Sequence, residues 1–557
     1  MSSPAAEHTV LAGPRASWRE PMTGEQRERV AAFAVIAVVF LAILWPELHY
    51  VPIWDGRLYA NCAISAAADG PAGLTMEALR CGGHPSQGYI VFLAASQLLR
   101  FGDIAALHFT NVLLGLIALA SIRVVLARVF PEPRLARQLD LVTLLCAVHP
   151  VVLSTLLQVN VDFGVYVFFF ATLAAILSGR FGWAVVAGVL LCFSKETGVL
   201  AYGLIVGLDV LFRVVPAGTP AERLRRVRPL WATPIPVVLF AGHVLWWDAT
   251  HAKPAVWKHA WQQGPLDGFK FFDLSEPIFR SYAAGIFLLG FMWVVSALIA
   301  VDLVRGGVRM ARRLPDRAVP GADPVRLAYM GVLTSVLTYL LTSFRTWSNL
   351  RYFALLYPLL VILAFAALLR LGAGARVRYA VLTVIGALFV VSVYRSWDPV
   401  SRAAYGTFDT GQRDMYRMSS ITGIYAGPGR DDLVYNLQFT GYHYAQNALF
   451  HALQATDSTA FATSRVVRWN IFSQLDALTR DRTMQRQDVI VPRYWDDIDL
   501  REVPQRPRDV WFLEFTYRPY RDASLASLKS LYKEVGVVRA IARGHVLVAH
   551  HLELIAP

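Results

Sequence analysis

The sequence predicts an all-helical membrane domain of about 11 transmembrane helices, followed by a C-terminal soluble α/β domain. Of 557 residues, 55% are hydrophobic and only 17% are charged, and the mean hydropathy is +0.43, which is too apolar for an ordinary soluble protein. The net charge of +13 is assigned to membrane topology rather than to nucleic acid, because no basic stripe with interleaved aromatic residues occurs. Three parts are expected: a tail (1–29), a transmembrane domain (30–396) and an external domain (397–557).

Apolar runs approaching the roughly 20 residues that a spanning helix needs recur along the middle part of the chain. Two of them are short and are separated by only a few residues, so they are interpreted as a helical hairpin. The eleven predicted spans are 30–45, 107–129, 139–157, 164–177, 183–193, 199–215, 230–247, 281–304, 327–341, 353–369 and 379–394.

The arginines indicate the orientation of these spans, because cytoplasmic loops collect positive charge. Arginines cluster before the first span and after the second, sixth, eighth and tenth, so all the clusters fall on one side. The N-terminal tail is therefore expected to be cytoplasmic, and an odd number of spans places the C-terminal domain outside. The first 29 residues do not resemble a cleavable signal, so the first span is expected to remain as an anchor.

The first external loop, residues 46–106, is expected to contain interfacial helical structure. Its apolar segment 88–99 is only about half as long as a spanning helix, and a span there would invert every later arginine cluster, so it is placed on the membrane surface. Cys62 and Cys81 lie in this loop. A disulfide and two unpaired thiols are both compatible with the sequence.

From about residue 397 the pattern becomes that of a soluble α/β domain. Alternating segments predict a strand at 509–515 and a hairpin of 537–542 with 545–550 that turns at Arg543 and Gly544. Helical periodicity predicts helices at 442–454 and 524–535. No nucleotide-binding glycine motif is present, and no chemistry is assigned to this domain.

Ionisable residues at the edges of the apolar runs are candidate functional groups, because charge near a membrane is costly. Lys195, followed by Glu196, lies at the external end of a helix pair and is the first lysine of an arginine-rich chain. A compact cation there is suited to a phosphate oxygen. The alternative is a Lys195–Glu196 pair that merely closes a tight turn.

Other external charges support the same interpretation with different strength. Asp162 begins the fourth span, where the helix dipole alone would explain an acid. Arg345 and Arg351 lie on a short external loop, against the topological rule, and call for an anionic partner. Asp55 follows the first span by ten residues and is a candidate general base.

Taken together, the external groups combine carboxylates with cations at the membrane surface. A base for an incoming hydroxyl and positive charge for a departing phosphate are what transfer from a lipid-linked phosphate donor requires. The set is Asp55, His84, Asp162, Lys195, Arg345 and Arg351.

These motifs resemble those of the GT-C superfamily of polyprenyl-phosphate-sugar glycosyltransferases, in particular the branch of protein O-mannosyltransferases and lipid A aminoarabinose transferases. Asp55 with Tyr59 is similar to the first-loop acid and its tyrosine, and residues 84–89, from His84 to Tyr89, to the basic-residue-Pro-Pro-x-Tyr motif. Asp162 is similar to the second acidic motif. Residues 195–198 resemble a Thr-Lys-Gly-Pro motif, and Arg351, Tyr352 and Pro358 an Arg-Tyr signature.

The resemblance implies an inverting glycosyltransferase of a bacterial inner membrane that moves a monosaccharide from a polyprenyl phosphate to an envelope glycan, lipid or protein. Asp55 and Asp162 would be catalytic, and the donor and lipid phosphate would be bound by His84, Tyr89, Lys195, Glu196, Arg345 and Arg351. A divalent cation, Mg²⁺ or Mn²⁺, held with the help of Asp55, is an open alternative; no other cofactor is expected.

Two features separate this chain from the family pattern. Gly56 follows Asp55, where protein mannosyltransferases often carry consecutive acids, and Glu196 follows Lys195. The main alternative function is a transporter or flippase of a lipid-linked or anionic substrate, although such proteins tend to show repeats and interrupted helices near the membrane midplane. An envelope-assembly subunit with a degenerate site is a third.

Overall fold

The structure is a computed structural model. It describes residues 23–52, 54–81, 84–251, 283–314, 318–343, 350–409, 414–416, 436–454, 460–463, 493–496, 499–502, 506–514 and 525–555.

The first and larger part is helical. Its helices, in chain order, are α1 (Gly24–Leu44), α2 (Trp54–Ala67), α3 (Gln87–Leu99), α4 (Ile104–Val129), α5 (Ala136–Ala147), α6 (Pro150–Leu157), α7 (Val161–Leu177), α8 (Phe181–Cys192), α9 (Glu196–Val214), α10 (Pro220–Val227), α11 (Ile235–Thr250), α12 (Met292–Ala311), α13 (Pro324–Ser343), α14 (Leu356–Arg370) and α15 (Ala375–Tyr394).

The chain is a multi-pass membrane protein, and each predicted apolar run contains helix. In the described ranges, six helices are long and apolar enough to cross a membrane, or eight if two bent pairs are each one span. The expected count of eleven is not confirmed, because α7, α8 and α14 have only 17, 12 and 15 residues. The run at 139–157 is bent by 51° between α5 and α6, where Pro150 lacks the backbone N–H that would continue the helix.

Helix α7 is the centre of the bundle. Nearly all of its residues are buried, and it packs against α4, α8 and α9. A helix that is apolar on every side suits such a position. Helix α3, the segment predicted to lie on the membrane surface, has 13 residues and packs against α2, α4, α7 and α8, with its inner residues fully buried.

The C-terminal part contains a mixed sheet. Its elements are α16 (Pro399–Tyr405), β1 (Thr407–Asp409), β2 (Asp414–Tyr416), α17 (Gln438–Gln454), β3 (Ala460–Thr463), β4 (Arg493–Asp496), α18 (Asp499–Glu502), β5 (Asp509–Glu514), β6 (Tyr532–Ala542) and β7 (His545–Leu554).

Five of these strands form one sheet in the order β4-β3-β5-β7-β6, with β3 parallel to β4 and β5, and β7 antiparallel to β5 and β6. The predicted hairpin is present, with Arg543 and Gly544 at positive φ in its turn. The helix predicted at 524–535 is wrong at its C-terminal end, because Tyr532 already pairs with Leu554 in the sheet. Pairing with a long neighbouring strand overrides the local helical pattern.

The tip of this hairpin touches the helical part. Arg543 forms an ion pair with Glu47, which is only 1% exposed, at the end of α1. The same guanidinium donates to the carbonyl oxygen of Pro46 at 3.2 Å and lies 4.1 Å from the ring centroid of Tyr444 on α17. Apolar residues of α17, β6 and β7 belong to the same buried cluster as the helical bundle, so both parts share one core.

Candidate active site

Two acids and two cations lie together at the N-terminal ends of α2, α7 and α9 and in a short turn before α14. Asp55 lies in the first turn of α2 and Asp162 in the first turn of α7, positions where the helix dipole favours negative charge. Lys195 immediately precedes α9. Arg351 lies in a short 3-10 turn, Leu350–Phe353, before α14.

Arg351 connects the two acids. Its Nη2 donates to Oδ2 of Asp55 at 2.5 Å, and its Nε lies 3.2 Å from Oδ2 of Asp162. Lys195 Nζ donates to the other oxygen of Asp162 at 2.7 Å. The ring of Tyr352 covers the ammonium of Lys195, 4.1 Å from its centroid. The four groups thus form one network of two carboxylates and two cations.

Burial separates Asp55 from the other three. The side chain of Asp55 is 37% exposed, whereas those of Asp162, Lys195 and Arg351 are 5%, 10% and 8% exposed. Burial has the largest single effect and opposes the charge on Lys195, but Asp162 and Tyr352 together outweigh it, so the pKa of Lys195 lies above its usual value. Asp55 is therefore the most exposed of the four side chains in the network.

The backbone of the turn between α6 and α7 allows these residues to lie close together. A Cβ atom on Gly56 would lie 1.8 Å from the carbonyl oxygen of Gln158, so only glycine allows α2 to approach this turn so closely. Val159 has a φ of +51°, which β-branched residues seldom adopt. Asn160 then caps α7 by accepting the backbone N–H of Asp162. Gly56 thus has a packing role that was not expected from the sequence motifs.

His84 and Glu196 form a second pair at the same end of the bundle. His84 Nδ1 lies 3.0 and 3.1 Å from the two carboxylate oxygens of Glu196. Glu196 therefore does not close a turn with Lys195; each of the two residues contacts a different partner. Gly88 holds this region together, because its N–H donates to the carbonyl oxygen of Phe193 at 2.8 Å.

Two other predicted residues stand apart from the network. Tyr89 is fully buried and its hydroxyl donates to Asn111 at 2.7 Å, and its ring packs against Gly164 of α7. We therefore leave Tyr89 out of the proposed substrate contacts. Arg345 lies outside the described residues.

Two side chains near the network were given no role from the sequence, although Tyr59 is part of the first-loop motif. Tyr59, one turn beyond Asp55 on α2, is buried, and burial together with the charges of Asp162 and Asp55 raises its pKa. Arg80 lies against Trp247 of α11, with its Cζ 3.9 Å from the ring centroid. The signal for Arg80 was present, since it is an arginine on an expected external loop, the argument applied to Arg345 and Arg351.

A divalent cation does not fit the acids of this site as they are arranged. Asp55 and Asp162 already bind the guanidinium of Arg351, which a cation would have to displace. A cluster of three or more His, Cys, Asp or Glu side chains able to hold a metal is not found in the described part of the chain, whereas Mg²⁺ prefers near-octahedral oxygen ligands. No chemical step is assigned to a metal.

The structure was compared with known proteins. No family model matches the chain, and no curated protein matches it in sequence. It is similar to the crystal structure of ArnT from Cupriavidus metallidurans bound to undecaprenyl phosphate, with a TM-score of 0.50 and 15% identity over 94% of this chain and 97% of that chain. The apo form of the same ArnT matches with a TM-score of 0.47 and 14% identity, over 94% and 98% of the two chains.

A third match is the archaeal oligosaccharyltransferase AglB from Archaeoglobus fulgidus in complex with an inhibitory peptide and a dolichol-phosphate. Its TM-score is 0.41 at 10% identity, covering 81% of this chain and 64% of that chain. Of the three matches, the ArnT complex with undecaprenyl phosphate is the one similar enough to support an argument, and that argument concerns the fold alone. The chain has an ArnT-like membrane fold with a small C-terminal sheet domain, which is the fold that the motifs implied.

Proposed function

We propose that this protein is an inverting glycosyltransferase that moves a monosaccharide from a polyprenyl phosphate to an acceptor hydroxyl. The observation that carries the proposal is the network in which Arg351 binds both Asp55 and Asp162 while Lys195 binds Asp162. The likeness to ArnT, whose crystal structure contains undecaprenyl phosphate, supports a lipid-phosphate donor.

In this mechanism Asp55 removes the proton of the acceptor hydroxyl, and the resulting oxygen attacks the anomeric carbon of the donor. The bond between that carbon and the phosphate oxygen breaks, and the polyprenyl phosphate leaves with the bonding electrons. Lys195 and Arg351 stabilise its growing negative charge. Asp162 holds these two cations in place and acts through them, as a positioning residue.

We place this reaction on the outer face of a bacterial inner membrane, with the N-terminal tail in the cytoplasm and residues 397–557 in the periplasm. The disulfide between Cys62 and Cys81 supports this orientation, because disulfides persist in oxidising compartments and are rare in the cytosol. The two cysteines lie in the expected first external loop, which contains Asp55 and His84.

The proposal predicts that Asp55→Asn abolishes transfer without preventing donor binding. The asparagine keeps the shape of the side chain but cannot accept the proton. Full-length protein in nanodiscs would be incubated with a panel of undecaprenyl-phosphate sugars and a bacterial envelope extract, and free undecaprenyl phosphate would be measured by mass spectrometry. We expect turnover to fall about 100-fold or more, the scale of general base catalysis.

Asp69→Asn is the matched control, because Asp69 is an exposed acid of the same loop whose side chain makes no capping bond. Its turnover should equal that of the wild type. Near-normal turnover by Asp55→Asn would remove Asp55 as the base. A wild-type protein that moves the intact lipid across the bilayer without releasing undecaprenyl phosphate would instead be a flippase.

A further inference from the structure

Arg80 is held in a fixed place beside the proposed active site. Its guanidinium lies 3.9 Å from the ring centroid of Trp247, and the ring of His251 stacks on the same indole at 3.6 Å, nearly parallel. Two groups this close to one centroid must occupy opposite faces, so Trp247 lies between them. Stacking on an aromatic face leaves the N–H edge of a guanidinium free to donate.

The backbone on both sides of Arg80 is also fixed. Cys81 is bonded to Cys62 of α2, and its N–H donates to the hydroxyl oxygen of Ser86 at 2.7 Å. That hydroxyl donates in turn to the carbonyl oxygen of Leu79 at 2.9 Å. A long cationic side chain on a loop ordinarily loses much conformational entropy when it binds a ligand, and here the loop is already ordered.

Arg80 has no ion-pair partner among the described residues, although the charges of Glu196 and Asp248 act on it from farther away. In the described ranges no carboxylate oxygen lies within 4 Å of it, whereas Lys195 and Arg351 both have such partners. Its Nη1 is buried and has no hydrogen-bond partner among these residues. Since a guanidinium does not lose its proton in proteins, that N–H requires an acceptor from elsewhere.

Arg80 is also close to the known members of the site. Burial lowers its pKa, and the carboxylate of Glu196, the partner of His84, is the strongest of the charges that oppose this effect. Arg80 therefore interacts electrostatically with Glu196 and with Asp248 of α11, the helix that also carries Trp247.

We propose that Arg80, held against Trp247, is an oxyanion-binding residue of this site and takes a phosphate or carboxylate group of a substrate. The inference rests on the proposed function and deepens it. The planar N–H fork matches two oxygens of such a group, which a neutral hydroxyl cannot offer. The oxyanion belongs either to the lipid phosphate of the donor or to a second, acidic group carried by the acceptor.

The test uses the variants Arg80→Met, which keeps an apolar stem on Trp247 but removes the charge, and Arg80→Lys, which keeps the charge. Arg100→Gln is the control, since Arg100 follows α3 at the end of the same expected loop, is 74% exposed and pairs only with Asp103 among the described acids. Thermal unfolding of each full-length variant in nanodiscs checks its folding. Binding of undecaprenyl phosphate is then measured by calorimetry.

If Arg80 binds the lipid phosphate, Arg80→Met weakens undecaprenyl phosphate binding about tenfold or more, Arg80→Lys less, and Arg100→Gln not at all. If it binds a second oxyanion, that affinity is unchanged, but inorganic phosphate binding to protein saturated with undecaprenyl phosphate is lost in Arg80→Met and retained in the control.

Unchanged binding of both probes in folded Arg80→Met protein would overturn the proposal. If Arg80→Met does not fold, Arg80→Lys decides, because it must still bind measurably more weakly than the wild type. These binding results do not depend on turnover, so a wild-type protein that binds the probes but releases no undecaprenyl phosphate would count against the proposed function and not against this site.

Discussion

Asp162 is the acid that both cations of the site share. Each of its oxygens faces a different cation, Lys195 and Arg351, and its side chain is only 5% exposed. Asp55 contacts Arg351 and is about seven times more exposed than Asp162, at 37%. The two acids therefore differ in environment, which suits the roles proposed for them, with Asp162 as the positioning residue and Asp55 as the base.

This difference predicts unequal costs for two equivalent changes. Asp162→Asn leaves two buried cations short of one negative charge and should lower the free energy of unfolding by about 3–5 kcal/mol, the range for breaking a buried ion pair. Asp55→Asn, at a more exposed position, should cost less. Thermal unfolding of both variants in the same detergent measures this, and equal melting temperatures would contradict the assignment.

The sequence indicated which charged residues meet in the fold better than how they pair. Asp55, Asp162, Lys195 and Arg351 could be predicted because charge at the end of an apolar run is costly. Their pairing could not, since Lys195 and Asp162 are 33 positions apart and Arg351 and Asp55 are 296 apart. Adjacency instead suggested a Lys195–Glu196 pair that the structure does not contain.

The closest approach between elements at the site is that of α2 to the turn after α6. It depends on Gly56, whose added Cβ would overlap the carbonyl oxygen of Gln158. In the sequence, Gly56 separates this chain from protein mannosyltransferases, which often carry a second acid at this position. Its contact explains the residue without reference to any substrate, because the neighbouring atom is backbone and cannot move aside cheaply.

Gly56→Ala should therefore displace α2 and disturb the contact between Asp55 and Arg351. We expect a loss of about 1–3 kcal/mol in the free energy of unfolding, as for overpacking, and reduced turnover. Gly203→Ala in α9 is the control, because a Cβ there meets nothing within 4 Å and alanine in a helix stabilises by about 0.5–1 kcal/mol. A Gly56→Ala variant as stable and active as the wild type would show that α2 is not held so closely.

The sequence predicts helix positions well where the apolar runs are long. It predicts them less well where tertiary contacts determine where a helix is interrupted. The runs containing α1 and α4 correspond to single helices. By contrast, the run at 281–304 is interrupted at Gly290 and Phe291, both with positive φ, a backbone state that hydropathy does not reveal.

At the scale of the whole molecule, the C-terminal hairpin is fastened to the start of the expected first external loop. Arg543 binds Glu47 and Pro46, and Phe439 of α17 meets the ring of Tyr50 edge-on, with centroids 5.3 Å apart. These contacts lie within ten residues of Asp55. The C-terminal domain therefore helps to fix the chain that leads to the proposed base.

A double-mutant cycle of Glu47→Gln and Arg543→Met tests this connection. Arg543→Met leaves the buried carboxylate of Glu47 without its cation, and Glu47→Gln removes the charge that Arg543 binds. The double variant should therefore be less destabilised than the sum of the two, with a coupling of about 0.5–3 kcal/mol. We also expect slower release of undecaprenyl phosphate with unchanged affinity for it. Additive stability effects together with normal turnover would argue against the connection.

The bond between Cys62 and Cys81 joins α2, which presents Asp55, to the loop that presents Arg80 and His84. Such a bond closes only after the loop has met an oxidant, so the site cannot be complete when the chain leaves the ribosome. Recombinant protein made in a reducing host, or treated with a thiol reductant during purification, would have the right sequence and an open loop. Preparations intended for the assays above need to be checked for this bond by electrophoresis without reductant.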